Sequence, residues 1–211
     1  MMADLIWPTD ENGWPSFVNR PPAGNTVKNL TASFKEKTVA NYWQWDFRHA
    51  SPVVSQQNGK LSLSGEVTAT NPTGMVLTVR PVSTHFDMTT TVSNANAAVK
   101  GLSFYGDANA AIGVGAMNDW VEFWIVKDNK RRVIATEHIK PGVPVQLKFS
   151  MLPDLTCEVF YKQAGSAWQP LGGKEDIGFL PQWDRSPRAG LHVKGGKDDV
   201  AEFSGFEIVN K

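Results

Sequence analysis

The run Trp120-Val121-Glu122-Phe123-Trp124 sets two indoles and a carboxylate at every second position. In an extended strand alternate side chains leave on opposite faces, so Trp120, Glu122 and Trp124 share one face while Val121, Phe123 and Ile125 share the other. Flat aromatic rings suit the C–H face of a pyranose, and a carboxylate between them accepts its hydroxyls, so the chemistry on offer is sugar recognition. The same pattern equally suits a strand whose second face is covered by another layer, which would make both indoles core.

Tyr105 and Arg80 fall on the non-core faces of their own runs and extend the candidate set with a ring and a guanidinium. The stretch Phe179 to Arg188 adds Trp183 and Arg185 from a connection with the composition of a binding or docking loop. A Pro-braced plug, with Trp183 closing one end of the fold, is the alternative. Asp198, Asp199 and Glu202 precede the last β-like run and are candidate calcium ligands, since calcium wants several hard oxygens; a solvated turn is the plainer reading. Glu175-Asp176, Asp198-Asp199 and Asp154 with Asp184 are acids of the type that cleave glycosidic bonds, but sequence does not set their separation. There is no phosphate loop, no Gly-x-Ser-x-Gly elbow, no His-Glu-x-x-His and no Cys/His cluster. His49, His85, His138 and His192 are isolated in sequence and read as structural or surface residues. Calcium aside, no cofactor is expected.

Lys plus Arg and Asp plus Glu balance at 21 each in 211 residues, which leaves no field to attract nucleic acid or an anionic membrane. Cys157 is the one cysteine and alternates with Val159 and Tyr161, so it reads as a buried small hydrophobe. No apolar run approaches the roughly 18 to 20 residues that span a bilayer, and Met1 to Asp10 lacks the basic start and apolar stretch of a secretory signal. The expectation is a soluble chain, either cytoplasmic or, once trimmed of an export signal, periplasmic or extracellular.

These groups must be positioned by strands, because short β-patterned runs separated by Gly, Pro, Asn and Asp fill the chain and no window holds a capped helical period. The runs are Tyr42 to Arg48, Gly59 to Ser64, Met75 to Val82, Phe86 to Val92, Val99 to Tyr105, Ala111 to Ala116, Trp120 to Lys127, Arg132 to Glu137, Val143 to Met151, Thr156 to Lys162, Ala189 to Val193 and Val200 to Val209. So many strands predict two packed antiparallel sheets, an all-β sandwich. Alternation assigns Leu77, Val79, Met88, Val92, Leu102, Phe104, Val145, Leu147, Phe149, Leu191 and Val193 to the core. The opposite positions, Asp87, Ser103, Gln146, Lys148 and His192 with Arg80 and Tyr105, predict a wet face carrying scattered rings. Asp128-Asn129 reads as a hairpin turn. Residues 1–38, broken by Trp7-Pro8, Gly13-Trp14-Pro15 and Arg20-Pro21-Pro22, read as a tether or wrap, and residues 39–211 as the sandwich. Trp7, Trp14 and Phe17 in such a tether should be buried against the sandwich or a neighbouring domain.

In this order and spacing the segments resemble the C-terminal concanavalin-A-like sandwich of family 43 glycoside hydrolases, the β-xylosidase and α-L-arabinofuranosidase group. Asn41-Tyr42-Trp43-Gln44-Trp45 looks like the family's opening Trp-x-Trp, Gly59 to Leu63 its Gly-x-Leu-x-Leu, and Leu77-Thr78-Val79-Arg80 its strand ending in Arg. Lys100 to Tyr105, Phe160-Tyr161 through Trp168 to Gly172, and Ala189-Gly190-Leu191 are similar to later segments, and Ala201 to Phe206 sits at its closing Phe-Asp-x-Phe with Ser204 in place of Asp. Asp10 to Pro15 looks like the exit from the family's catalytic propeller. The loop around Trp183 lacks the family's Phe-Thr-Gly.

The resemblance implies a concanavalin-A-like jelly roll that is not catalytic by itself, since the family's three catalytic acids lie in a propeller that would precede residue 1. The doubled Met1-Met2 then suggests an excised or shortened product. The expected function is an accessory domain that binds or positions xylan- or arabinan-type oligosaccharides or polysaccharides beside that propeller, using Trp120, Glu122, Trp124, Tyr105, Arg80, Trp183 and Arg185. The alternatives are a bracing or oligomerisation domain that binds no sugar, and a stand-alone jelly-roll glycosidase.

Overall fold

The computed structural model describes residues 5–6, 8, 13–14, 16–17, 28–93, 95–181 and 186–211. Among these the strands, in chain order, are β1 (Leu5–Ile6), β2 (Ser16–Phe17), β3 (Leu30–Ala32), β4 (Ala50–Gln57), β5 (Lys60–Val67), β6 (Met75–Val79), β7 (Phe86–Val92), β8 (Val99–Asp107) and β9 (Ala110–Met117). They continue with β10 (Trp120–Lys127), β11 (Lys130–His138), β12 (Val145–Met151), β13 (Thr156–Gln163), β14 (Gln169–Pro170), β15 (Glu175–Asp176), β16 (Arg188–Lys194) and β17 (Ala201–Asn210). No helix occurs among the described residues.

Two large antiparallel sheets form, besides the two-stranded pair of β1 with β2. The smaller runs β11-β10-β9-β8-β16-β6, and the larger β14-β13-β12-β7-β17-β5-β4, with β15 added on β13 and β3 on β17. Within the stretch read as a tether, Leu30–Ala32 therefore pairs into the larger sheet. Asn and Asp in the left-handed region make the tight hairpins: Asp128 (φ 52°) and Asn129 (φ 62°) join β10 to β11, and Asn58 (φ 52°) with Gly59 (φ 81°) joins β4 to β5. Turns with both central residues at positive φ match the right-handed strand twist, which is why these residue types sit there. The exposed edges carry what discourages further pairing, Lys130 and Arg132 on β11 and Pro52 on β4.

Every residue that alternation assigned to the core is buried between the sheets. Phe104 packs against Phe86 at 5.9 Å and Phe149 at 6.1 Å between ring centroids, tying the two sheets together across the layer. Cys157 is free and fully buried; burial pushes its thiol up, and the carboxylates of Glu175 and Glu158 add to the shift.

Two elements differ from the sequence reading. Tyr42 to Arg48 is no strand: only Gln44 bridges to Thr78, and a turn follows at 47–49. Trp43 instead plugs the core, its ring 5.2 Å from Phe206 and 6.5 Å from Phe34, so a β-like pattern here records one buried ring rather than an alternating face. The strand that does form, β4, is polar because it lies at the sheet edge. Trp14 is 91% exposed, so of the two expected places for the tether's rings it does not take the sandwich, while the side chains of Trp7 and Phe17 lie outside what is described.

Candidate functional site

The outer face of the smaller sheet is not wet. Val76, Val99, Tyr105, Ala111, Trp124 and Val126 form a second buried cluster on it, and Ser103 and His192 are likewise inaccessible. On the larger sheet the expectation holds, since Gln146 is exposed and Asp87 and Lys148 are half-buried. The difference lies in the glycines of β9. A Cβ at Gly113 would stand 2.6 Å from Trp124 Cζ2, so the missing side chain is what lets the indole lie down on the sheet.

Trp124 is thus 0% exposed, its ring 4.5 Å from that of His192 and 5.3 Å from the Arg131 guanidinium carbon. Glu122 is buried and accepts from Arg131 Nη2, so its carboxylate is engaged inside the protein rather than offered outward. Three buried polar atoms in this cluster, Trp124 Nε1, Arg131 Nε and His192 Nδ1, have no hydrogen-bond partner among the described residues. His192 Nε2 lies 2.8 Å from the Thr73 carbonyl oxygen; burial drives the imidazole down to about 3, with Arg131 and Lys194 pushing the same way. Trp120 is half-buried and stacks on His138, its partner across the β10–β11 pair, at 3.5 Å.

At one end of the smaller sheet, where β8 meets β16 (Tyr105 opposite Arg188), a rim forms around Asp46. Asp46 Oδ2 accepts from the Tyr105 hydroxyl at 3.1 Å and lies 2.9 Å from His49 Nδ1; Oδ1 accepts from Arg48 N at 3.2 Å and Nε at 3.3 Å. Burial alone would raise the Asp46 carboxyl, but the hydrogen bonds from His49, Arg48 and Tyr105 outweigh it and hold it below the usual range. Burial first, then the Asp46 charge, pushes the Tyr105 phenol up, so it stays protonated and donates. A cleft of about 310 Å³ opens here between Trp45, Phe47, Arg48, Tyr105 and Arg188.

Exposed Arg80 borders a second cleft, of about 440 Å³, whose other walls include Val82, Phe104, Met151, Ser186 and Pro187. Ser186 and Pro187 line this second cleft and Arg188 the first, while Trp183 and Arg185 lie outside the described residues. The sequence-derived set therefore divides: Trp124, Glu122 and Tyr105 sit inside the covered face, Tyr105 at the end where its hydroxyl reaches Asp46, Trp120 at its margin, and Arg80 at the rim. The calcium candidates do not converge. Asp198 is exposed, Asp199 Oδ2 accepts from Gly196 N at 2.7 Å, Glu202 Oε2 accepts from Lys60 Nζ at 3.0 Å, and no group of three His, Cys, Asp or Glu among the described residues could hold a metal.

Sequence reasoning did not single out Trp45, Asp46, Arg48 or Arg131. Trp45-Asp46-Phe47-Arg48 does carry a signal, two rings alternating with an acid and a base, but it was absorbed into a supposed strand. Arg131 gave none, since only the fold brings it to Glu122.

No protein-family model matches the sequence, and no curated protein matches it significantly. Solved structures do. A xylan β-1,4-xylosidase from Bacillus halodurans C-125 matches 99% of this chain over 46% of its own length, with a TM-score of 0.74 at 16% identity. The GH43B protein of a Bacteroides ovatus xyloglucan PUL matches over the same shares, with a TM-score of 0.74 at 14% identity. A protein of unknown function from Shewanella oneidensis MR-1 matches 87% of this chain over 88% of its own, with a TM-score of 0.60 at 11% identity. The chain thus spans less than half the length of the first two. It has the two-sheet antiparallel β-sandwich fold that the family 43 resemblance implied, and it shares that fold with part of the xylosidase and of the GH43B protein.

Proposed function

We propose that this chain is an accessory sandwich of a glycoside hydrolase acting on xylan- or arabinan-type glycans, working beside a catalytic propeller and cleaving no bond itself. The observation that supports the reading is coverage: nearly the whole chain aligns with under half of a xylosidase. Within this reading Arg80 at the rim meets the glycan, Trp183 and Arg185 are further candidates from the sequence, Trp120 offers a partly exposed ring, and Trp124 with Glu122 and Tyr105 forms the rigid platform beneath. Sugar sites combine a ring to stack on with a few fixed polar groups, and the rim has that composition.

The test is a calorimetric titration of the chain with xylo-oligosaccharides and arabino-oligosaccharides, followed in parallel by indole fluorescence. Saturable heat that is weakened by Arg80→Ala, in a variant that melts like the parent, is the expected result. Silence up to millimolar sugar would overturn the glycan-facing role. A second reading, bracing of a neighbouring domain or copy, draws on the exposure of Trp14 (91%) and Phe47 (80%), large rings that a docked surface would cover. It predicts self-association in sedimentation that Phe47→Ser abolishes.

A further inference from the structure

The cleft between Trp45, Arg48 and Arg188 is rich in hydrogen-bond donors among its described side chains. Asp46, the one carboxylate among its described lining residues, is engaged by the Arg48 main chain and Nε, by His49 and by the Tyr105 hydroxyl, and so works as an anchor. The backbone is pinned as well, because the Asp46 carbonyl accepts from His49 N at 3.1 Å and Ala50 N at 3.0 Å. Arg48 spends only Nε on this network. Among the described residues neither of its Nη groups has a partner, and the side chain is 46% exposed at the cleft. Beside it Trp45 is 44% exposed.

A neutral sugar presents hydroxyls that both donate and accept, so it suits a site holding carboxylates or amides as well as cations. A guanidinium can only donate, in a planar fork that matches two carboxylate oxygens. A ring and a guanidinium fixed at Nε, on a side chain open to the same 310 Å³, select for a ligand with a ring and an anionic acceptor.

We propose that this cleft binds a glycan unit bearing a carboxylate, a uronic acid, with its ring against Trp45 and its carboxylate on the Arg48 fork. The inference rests on the glycan-facing reading above and names the substrate feature that the rim selects.

The experiment compares two probes on the intact chain by calorimetry: a xylo-oligosaccharide carrying a glucuronic acid branch and the unbranched oligosaccharide of equal length. The acidic probe should bind about ten-fold tighter or more, the scale of one charge-assisted contact, and the advantage should shrink as salt rises. Arg48→Met should erase the advantage and Arg48→Lys should keep part of it, while Trp45→Ala weakens both probes. Far-UV circular dichroism and melting temperature serve to establish that each variant is folded. Equal binding of the two probes, or a preference that survives Arg48→Met, would overturn the carboxylate inference and leave the accessory role standing. Failure of both probes would overturn the inference together with the glycan-facing reading.

Discussion

Replacing Trp124 with Ala separates a covered platform from an open sugar face. The indole is 0% exposed. A buried Trp removes about 150–250 Å² from water, worth about 4–6 kcal/mol at 25 cal/mol per Å². Against this, the unpartnered Nε1 already costs on the order of 1–3 kcal/mol in the parent, a penalty that the truncation removes. The net expected loss is about 3 kcal/mol, at the low end for large-to-small core changes. For a domain of this size that lowers Tm by about 6–12 °C. Trp124→Phe keeps a ring over Gly113 and deletes the orphan N–H, so it should cost only about 1 kcal/mol. The assay is urea unfolding followed by far-UV circular dichroism, with m compared across the three proteins. A loss below about 1 kcal/mol for Trp124→Ala, with unchanged m, would mean that the indole lies open to solvent and would refute the covered-face argument.

Acid should loosen the fold through His192. Its imidazole is held down at about 3 when folded, against 6.5 as the ordinary value, so between these limits the unfolded chain binds a proton that the folded one refuses. The stability it contributes is therefore complete above about pH 6.5 and lost toward pH 3, on the order of 4–5 kcal/mol across the window. His192→Gln should flatten urea midpoints measured from pH 7 to pH 4, and an unchanged pH slope would contradict the assignment. Gly113→Ala would put a methyl 2.2 Å from the Leu102 carbonyl oxygen and 2.6 Å from the Trp124 ring, so a loss of about 1–3 kcal/mol is expected from chemical denaturation. Asp46→Ala strips the rim network and leaves the Tyr105 hydroxyl buried without its acceptor. It should cost about 2 kcal/mol by thermal melting, and a neutral effect would argue that the network is solvated.

The fold was legible because its signals are local. A period of two is imposed by the pleat of a single strand, so Leu102 with Phe104, or Leu147 with Phe149, declare a shared face without knowledge of their partners. Asp128-Asn129 is local in the same sense, since positive φ is tolerated by the residue itself. The Tyr42 to Arg48 run misled because one anchoring ring, Trp43, imitates alternation, and β4 was missed because an edge strand needs little apolar surface.

The site was only half legible, for a physical reason. Alternation says that Trp120, Glu122 and Trp124 leave the strand on one side; what lies beyond that side is set by residues distant in sequence. The glycines of β9, Arg131 from the next strand and His192, 68 positions from Trp124, cover and engage them. Likewise Tyr105 meets Asp46 across 59 residues, and that contact turns an acid, a base and two rings into a cleft. Sequence by itself determined the strands, the inward faces and the residue types available for recognition, because those follow from backbone geometry and side-chain chemistry within a few residues. Only the tertiary structure decided which aromatics are platform and which are surface, because burial is a property of what packs above a face, and no local pattern encodes it.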